Sequence, residues 1–100
     1  MWEQIRLRLA FALGRFARRI RDVTTSLADV NGRKGGVDKR CRLEVRLSPR
    51  GQVTIEEMDA NLFAAIARAA GRAGQSVGRA LKRRRDARIH RGRFTPRRTE

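Results

Sequence analysis

The sequence predicts an α+β fold, a two-layer sandwich in which an antiparallel sheet of three strands carries two helices on one face. Three observations support this prediction. Apolar residues recur at helical spacing near the start of the chain and again in its second half. Between these two segments apolar and polar residues alternate, as in strands with one buried face. The 100 residues suffice for one domain with the order helix, strand, strand, strand, helix.

The first helix is predicted from Trp2 to about Arg19. Its apolar stripe, at a period of about 3.6 residues, consists of Ile5, Leu9, Leu13, Phe16 and Ile20, with Ala12 and Ala17 beside them. The basic residues that lie mostly off this stripe are Arg8, Arg15, Arg18 and Arg19. We therefore expect an amphipathic helix with a basic outer face.

Three strands follow, over Arg21–Val30, Arg40–Ser48 and Gln52–Glu57. The second is the clearest, because Cys41, Leu43, Val45 and Leu47 alternate with Arg40, Arg42, Glu44 and Arg46. One face of the sheet should therefore be buried, and the other wet and largely basic. Residues 48–51 predict the turn of a hairpin, since proline and glycine occupy turn positions.

The glycine-rich segment 31–38 is predicted to be a projecting loop. It contains three glycines and an Asn-Gly step, which adopt positive φ angles at little cost. It lacks the GxxxxGK[ST] spacing of a phosphate-binding loop, and no helix is predicted after it. Nucleotide binding by this loop is therefore not expected.

The second helix is predicted to be capped by Asp59 or Asn61 and to run to about Arg85. Its alanine-rich stripe consists of Leu62, Ile66, Ala69, Ala73, Val77 and Leu81, with Phe63 and Ala70 alongside. The helix also contains Gly71, Gly74 and Gly78, each costing about 1 kcal/mol against alanine. Close approach to the first helix or to RNA would explain them, and simple tolerance is the alternative. We assign residues 1–86 to one domain and residues 87–100 to a disordered basic tail.

Charge is the strongest functional signal. The chain has 25 Lys and Arg against 10 Asp and Glu, a formal net charge of +15. A field of this strength attracts polyanions through counterion release. A merely solvated basic surface is the alternative, although solubility needs a net charge of only about 2–8.

The sequence shows no recognisable set of catalytic residues. Its one histidine, His90, lies in the predicted tail, and with Cys41 as the one cysteine it cannot form a zinc site unaided. The carboxylates Glu56, Glu57 and Asp59 are explained by a role at the start of the second helix. We expect no enzyme, no cofactor, no metal and no small-molecule substrate. Cys41 should be a buried small hydrophobe, with a reactive thiol as the alternative.

The aromatic residues argue against binding of unpaired bases. The chain has no tyrosine, and Phe11, Phe16 and Phe63 occupy core-like positions in the pattern, whereas single-strand readers present aromatic side chains on an open face. Trp2 and Phe94 lie near the chain ends and could stack on bases. A lone cysteine fits a cytosolic setting, and neither a membrane span nor a signal peptide is recognised.

Four segments resemble the ribosome hibernation promoting factor family, to which ribosome-associated inhibitor A belongs. They are residues 23–32, 35–41 and 43–47, and the helix start over 59–66, in the order and spacing of that family. The likeness covers about Trp2 to Arg85. It implies a β-α-β-β-β-α layout like that of double-stranded RNA-binding domains. It also implies binding to the small ribosomal subunit where messenger and transfer RNA sit, which blocks translation and preserves idle ribosomes under stress.

The sequence departs from the family pattern in three respects. The family has a strand before its first helix, so that strand is absent here, is cut off at the start, or is supplied by a partner. Its loss would leave a sheet edge unpaired and open to dimerisation. Phe63 replaces a frequent tyrosine, and Ala67 a frequent aspartate. No C-terminal dimerisation domain follows, so the chain should act as a short form that cannot pair ribosomes by that route.

The resemblance and the charge pattern together give the candidate RNA-binding residues. On the helices, the loop and the exposed strand face these are Arg15, Arg18, Arg19, Lys34, Lys39, Arg40, Arg72, Arg79, Lys82, Arg83 and Arg85. The expected partner is the small ribosomal subunit with its RNA, in the cytoplasm. The alternative is a protein-interaction module that docks a partner through its helices or its open sheet edge. Membrane-surface binding by the basic first helix is ranked last, because its apolar stripe is needed for the core.

Overall fold

The structure is a computed structural model that describes residues 2–30 and 38–97, with side chains through residue 87. Its elements are helix α1 (Trp2–Leu13), a 3-10 helix (Gly14–Arg19), strands β1 (Ile20–Asp29), β2 (Lys39–Leu47) and β3 (Gln52–Asp59), and helix α2 (Leu62–Arg97). The strands form one antiparallel sheet in the order β1-β2-β3. Helix α2 packs on β2 and β3, and α1 packs along α2. The predicted α+β class and element order are confirmed.

The central strand β2 buries the side chains that the sequence pattern assigns to the core. Cys41, Leu43, Val45 and Leu47 are buried, and their neighbours point to the other face of the sheet. Val45 lies opposite Val23 of β1 and Val53 of β3, so the register places apolar residues of all three strands under the helices. The backbone N–H of Val30 donates to the carbonyl of Asp38 at 2.8 Å, which closes the base of the connection between β1 and β2.

The first helical segment differs from the prediction of one helix over Trp2 to about Arg19. The α-helix ends at Leu13, and residues 14–19 form the 3-10 helix. Gly14 is the residue with the weakest helix propensity in this segment, which favours a change of helix type at that point. Ile20 was assigned to the helical stripe, but it is the first residue of β1. Of the remaining stripe, Ile5 and Leu13 are buried and Leu9, Ala12 and Phe16 are partly buried, whereas Ala17 is exposed.

Helix α2 begins with a side-chain cap and is longer than predicted. The Asn61 side-chain oxygen accepts hydrogen bonds from the backbone N–H groups of Phe63, at 2.8 Å, and Ala64, at 3.3 Å, so Asn61 is the N-cap. The helix continues to Arg97, and residues 79–91 contain neither glycine nor proline to stop it near the predicted end at Arg85. The division into a domain over residues 1–86 and a basic tail over residues 87–100 stays a prediction.

Two glycines of α2 allow its close contact with the first helical segment. A Cβ atom on Gly74 would lie 2.8 Å from the carbonyl oxygen of Ala12, and one on Gly78 would lie 3.3 Å from the ring of Phe16. A Cβ on Gly71 would have nothing within 4 Å. Close approach to the first helix therefore explains Gly74 and Gly78, whereas Gly71 is tolerated at an exposed position.

Replacing Leu43 by alanine should lower the free energy of unfolding by about 2–5 kcal/mol, since a buried leucine leaves a cavity when it is shortened. Urea denaturation followed by circular dichroism measures the change. The control is Ser26→Ala on the exposed face of β1, which should stay within about 0.5 kcal/mol of the wild type. Equal effects of the two substitutions would contradict the described orientation of the sheet.

Replacing Gly74 by alanine should destabilise the protein by about 1–3 kcal/mol, because the new methyl group meets backbone and cannot be accommodated by a side-chain shift. The matched substitution Gly71→Ala on the same helix should stabilise it by up to about 1 kcal/mol through helix propensity alone. Thermal denaturation of both variants tests this difference. A stabilised Gly74→Ala protein would show that the helices are further apart than described.

Candidate RNA-binding surface

Acidic residues are concentrated on the sheet. Seven of the ten in the chain lie between residues 22 and 59, namely Asp22, Asp29, Asp38, Glu44, Glu56, Glu57 and Asp59. Three of them pair with the arginines of β2 on the exposed sheet face: Asp22 with Arg46 at 2.8 Å, Glu44 with Arg42 at 3.3 Å, and Glu56 with Arg40 at 3.5 Å. The face that the sequence suggested to be largely basic is therefore close to neutral.

The helical layer carries the uncompensated positive charge. Seven of the candidate residues are exposed on it: Arg15, Arg18, Arg19, Arg79, Lys82, Arg83 and Arg85. Among the residues whose side chains are described, none of these seven pairs with a carboxylate within 4 Å. Between residues 14 and 21, and between residues 60 and 85, the sequence has no acidic residue at all. The protein therefore has a nearly neutral sheet side and a strongly cationic helical side.

A cleft between the 3-10 helix and α2 collects three of these cations. It has a volume of about 330 Å³, and Arg19, Lys82 and Arg85 line it together with Phe16, Gly78 and Leu81. The glycine leaves room for the Phe16 ring, and the Arg15 guanidinium lies 4.8 Å from the centre of that ring. We call this feature the basic cleft. Its charge suits a phosphate group of a nucleic acid.

The other candidate residues either form ion pairs with carboxylates or lie outside the described residues. Lys39 contacts Asp29 at 2.6 Å and the buried Asp38 at 3.5 Å, and the hydrogen bond to Asp29 raises the pKa of Lys39. Arg40 pairs with Glu56, and Arg72 pairs with Glu57. Lys34 lies outside the described residues. The structure thus separates Lys39, Arg40 and Arg72 from the exposed cations of the helical layer.

One arginine of the basic run on α2 has a structural contact. Arg84 donates a hydrogen bond to the Ser48 carbonyl at 3.2 Å and another to the Arg50 carbonyl, so it ties α2 to the turn between β2 and β3. Lys82, Arg83 and Arg85 are exposed beside it. Nothing in the run of basic residues distinguishes these roles, because they depend on which side of the helix faces the turn.

The carboxylates at the end of β3 form ion pairs with α2. Glu57 accepts hydrogen bonds from Arg72 and Arg68, which lower the pKa of its carboxyl group. The pKa of Asp59 is lowered by the backbone N–H of Asn61 and by Arg68. These contacts hold the start of α2 against β3, which gives the carboxylates a structural role broader than the predicted one at the helix start.

The prediction that Phe11 and Phe63 belong to the core is wrong. Phe11 is 94% exposed and Phe63 is 53% exposed, whereas Phe16 is partly buried as predicted. Leu7, on the same helix as Phe11, is 66% exposed. Only a narrow strip of α1 packs on α2, and its close contact with Gly74 is made by a small residue, Ala12. Other apolar side chains of α1, such as Leu7 and Phe11, are therefore left exposed. The helical layer therefore presents apolar as well as cationic side chains.

Two further features concern the part of the chain that the structure describes. Within it, no group of three or more potential ligand side chains could hold a metal ion. No helix found there combines the length and the apolar character that a membrane crossing requires.

The fold and the basic cleft define a small two-layer α+β domain with a cationic helical side. Among solved structures, the N-terminal domain of Protein Y from Thermus thermophilus is similar, with 34% sequence identity over 76% of this chain and 81% of that chain and a TM-score of 0.53. The chain belongs to the ribosome hibernation promoting factor family, which confirms the resemblance seen in the sequence. No protein-family model and no curated protein matches the sequence significantly.

The ion pairs of Glu57 should make stability depend on pH. Its pKa is lower in the folded protein than the ordinary value of 4.5, so its contribution is complete above about that value and is lost as pH falls through the folded-state pKa. Wild type should exceed Glu57→Gln in unfolding free energy by about 1 kcal/mol or less at pH 7, and the difference should shrink toward pH 3. Urea denaturation across this pH range measures it.

A double-mutant cycle provides the control for this assignment. Arg72→Gln in the Glu57→Gln protein should cost less than Arg72→Gln in the wild type, because the carboxylate partner of Arg72 is then already neutral. Strict additivity of the two substitutions would refute the pairing, and so would a difference between wild type and Glu57→Gln that stays constant from pH 7 to pH 3.

Proposed function

We propose that this protein is a hibernation factor that binds the RNA of the small ribosomal subunit and blocks the sites of messenger and transfer RNA. Membership of the ribosome hibernation promoting factor family supports action on ribosomes in general. The finer statement, that contact is made through ribosomal RNA, is supported by one observation on this chain. Its unpaired cations lie together on the helical layer around the basic cleft.

The chemistry of the basic cleft favours phosphate as its ligand. Arg19 and Arg85 carry planar guanidinium groups that can each donate two hydrogen bonds to phosphate oxygens, and Lys82 adds a point charge. Because no carboxylate pairs with these side chains among the described residues, binding a phosphate would not require an internal ion pair to break. Counterion release from the RNA would add a salt-dependent contribution to affinity.

The arrangement also supports a proposal about which side of the protein faces the ribosome. Arg79 and Arg83 are exposed on α2 near the basic cleft, whereas the arginines of the exposed sheet face are engaged by carboxylates. Folded RNA is recognised mainly by the shape and the phosphates of its helices. We therefore propose that the helical side, and not the sheet side, lies against ribosomal RNA.

The proposed action needs no catalysis, cofactor or substrate turnover. Glu56, Glu57 and Asp59 are engaged by arginines in ways that explain their presence structurally, and the side chain of His90 lies outside the described residues. Occupying a site on the ribosome is a binding equilibrium. Its proposed place is the cytoplasm, where the ribosomes are, under stress conditions that leave them idle.

Two proposals about further contacts remain secondary. In the described structure β1 pairs with β2 alone, so its outer edge could form a dimer, although a formal net charge of +15 opposes self-association. Docking of a protein partner is favoured by the exposed Leu7, Phe11 and Phe63. Both would be detected as binding that persists at high salt and after nuclease treatment.

Replacing Arg19, Lys82 and Arg85 together by glutamine should weaken binding to small ribosomal subunits at least about tenfold, since each charge-assisted hydrogen bond contributes about 1.5–3 kcal/mol. The slope of log affinity against log salt concentration should become shallower by up to about three. Co-sedimentation of the labelled protein with purified subunits, over a range of salt concentrations, measures both quantities. Added transfer RNA and messenger RNA should compete with the wild-type protein.

The matched control replaces Arg40, Arg42 and Arg46 on the sheet face by glutamine. This variant has the same net charge as the cleft variant, but the charges are removed from the side that we assign away from RNA. It should bind within about threefold of the wild type, corresponding to less than roughly 0.7 kcal/mol. Equal weakening of the two variants would mean that overall charge alone drives binding, and the proposed surface would be wrong.

A further inference from the structure

An open apolar cavity lies between α1 and α2, at the end of the helical layer away from the basic cleft. Its volume is about 600 Å³. The buried Ile5 and Ile66 contribute to it, together with the exposed Leu7, Phe11 and Phe63. Large apolar side chains exposed together at one place in a monomer indicate a binding surface. We call this feature the aromatic cavity, since two of the three exposed side chains are phenylalanine rings.

The aromatic cavity and the basic cleft both lie between the first helical segment and α2. The helices pass in contact at Ala12 and Gly74, with the aromatic cavity on the N-terminal side of this contact and the basic cleft on the C-terminal side. From Ile66 to Lys82 the helix rises by roughly 24 Å at 1.5 Å per residue. At about 3.4 Å per nucleotide, a stacked strand of about seven nucleotides would span this distance, within the 4–16 nucleotides that small single-strand-binding domains cover.

We infer that the aromatic cavity binds an unpaired nucleobase by stacking on Phe11, about seven nucleotides along the strand from the phosphates held in the basic cleft. This inference rests on the proposed RNA binding and names a second subsite of the same surface. Phe11 presents its ring almost fully to solvent, so a base can lie on it without rearrangement of the core. Gln4 and Arg8 also line the cavity and can hydrogen-bond to the edge of a base or to its phosphate.

Two observations favour a nucleobase over an apolar segment of a protein or a lipid tail. The exposed apolar surface includes aromatic rings, on which any base can stack. Arg8 lines the same cavity, and Arg19, Lys82 and Arg85 line the basic cleft on the other side of the Ala12–Gly74 contact. An RNA strand supplies flat rings and regularly spaced negative charges in one ligand, which matches this sequence of aromatic and cationic sites. Stacking and phosphate contacts would therefore act together on one strand.

The test uses the full-length protein and two substitutions of Phe11 that separate stacking from simple apolar contact. Phe11→Tyr keeps an aromatic ring, whereas Phe11→Leu keeps apolar area and loses the ring. Stacking of one base is worth about 1–3 kcal/mol, so Phe11→Leu should weaken binding to small ribosomal subunits by about 5- to 150-fold. Phe11→Tyr should remain within about threefold of the wild type. Because Phe11 is exposed, both variants should retain the thermal stability of the wild type.

A second arm uses a 12-nucleotide single-stranded RNA and a matched abasic oligonucleotide of the same length and charge. Phe11→Leu should weaken binding of the RNA and leave binding of the abasic oligonucleotide unchanged, because only the RNA carries bases. The dependence of affinity on salt should be the same for Phe11→Leu and the wild type, since no ionic contact is removed. Fluorescence anisotropy with labelled oligonucleotides measures all four combinations.

Several outcomes would contradict the proposed stacking site, and each shows which part of the proposal is wrong. If Phe11→Leu binds subunits as the wild type does, the ring makes no stacking contact. If that variant instead loses binding to vesicles of anionic phospholipid or to a nuclease-treated ribosomal protein fraction, the cavity serves a membrane or a protein. If the variant with Arg19, Lys82 and Arg85 replaced by glutamine also binds normally, the proposed RNA-binding surface itself is wrong.

Discussion

The contact between α2 and the first helical segment determines the shape of the surface that we propose binds RNA. It depends on Gly74, where a Cβ atom would lie 2.8 Å from the Ala12 carbonyl, and on Gly78, which leaves room for the Phe16 ring. With bulkier residues at these positions the helices would separate, and the basic cleft would lose one of its walls. The helix propensity that the two glycines give up, about 1 kcal/mol each, is therefore offset by the packing that they allow.

The distribution of acidic residues decides which side of the protein carries the net positive charge. Carboxylates on the strands neutralise the arginines of the sheet face and hold the start of α2 through Arg68 and Arg72. The remaining cations of the helical layer have no such partners among the described side chains. A net charge alone would attract any polyanion, whereas this separation presents the charge on one side of the protein, the side that we propose faces RNA.

The sequence predicts the architecture well because the architecture follows from short-range patterns. The alternation from Arg40 to Leu47 predicts the central strand, and the stripe from Leu62 to Leu81 predicts the face of α2 that is buried. Each of these patterns shows which side of its helix or strand faces the core. Three successive strand patterns between the two helices also predict the three-strand sheet. The family resemblance, carried by four segments in the correct order, is likewise confirmed.

The composition of the site is less predictable because it depends on distances between elements. The basic run Lys82–Arg85 does not reveal that Arg84 alone reaches the turn between β2 and β3. The exposure of Phe11 depends on how narrow the contact between the helices is, and helical spacing carries no such information. The same holds for Arg72, whose pairing with Glu57 requires β3 and α2 to meet.

The buried thiol of Cys41 has a consequence for the behaviour of the whole domain. Cys41 is fully enclosed between the sheet and the helices, and burial raises its pKa, so the reactive thiolate form is disfavoured in the native protein. A thiol reagent can reach the sulfur only when the sheet and the helical layer separate. The single cysteine of the chain is thus a natural reporter, and its rate of alkylation measures how often the two layers come apart.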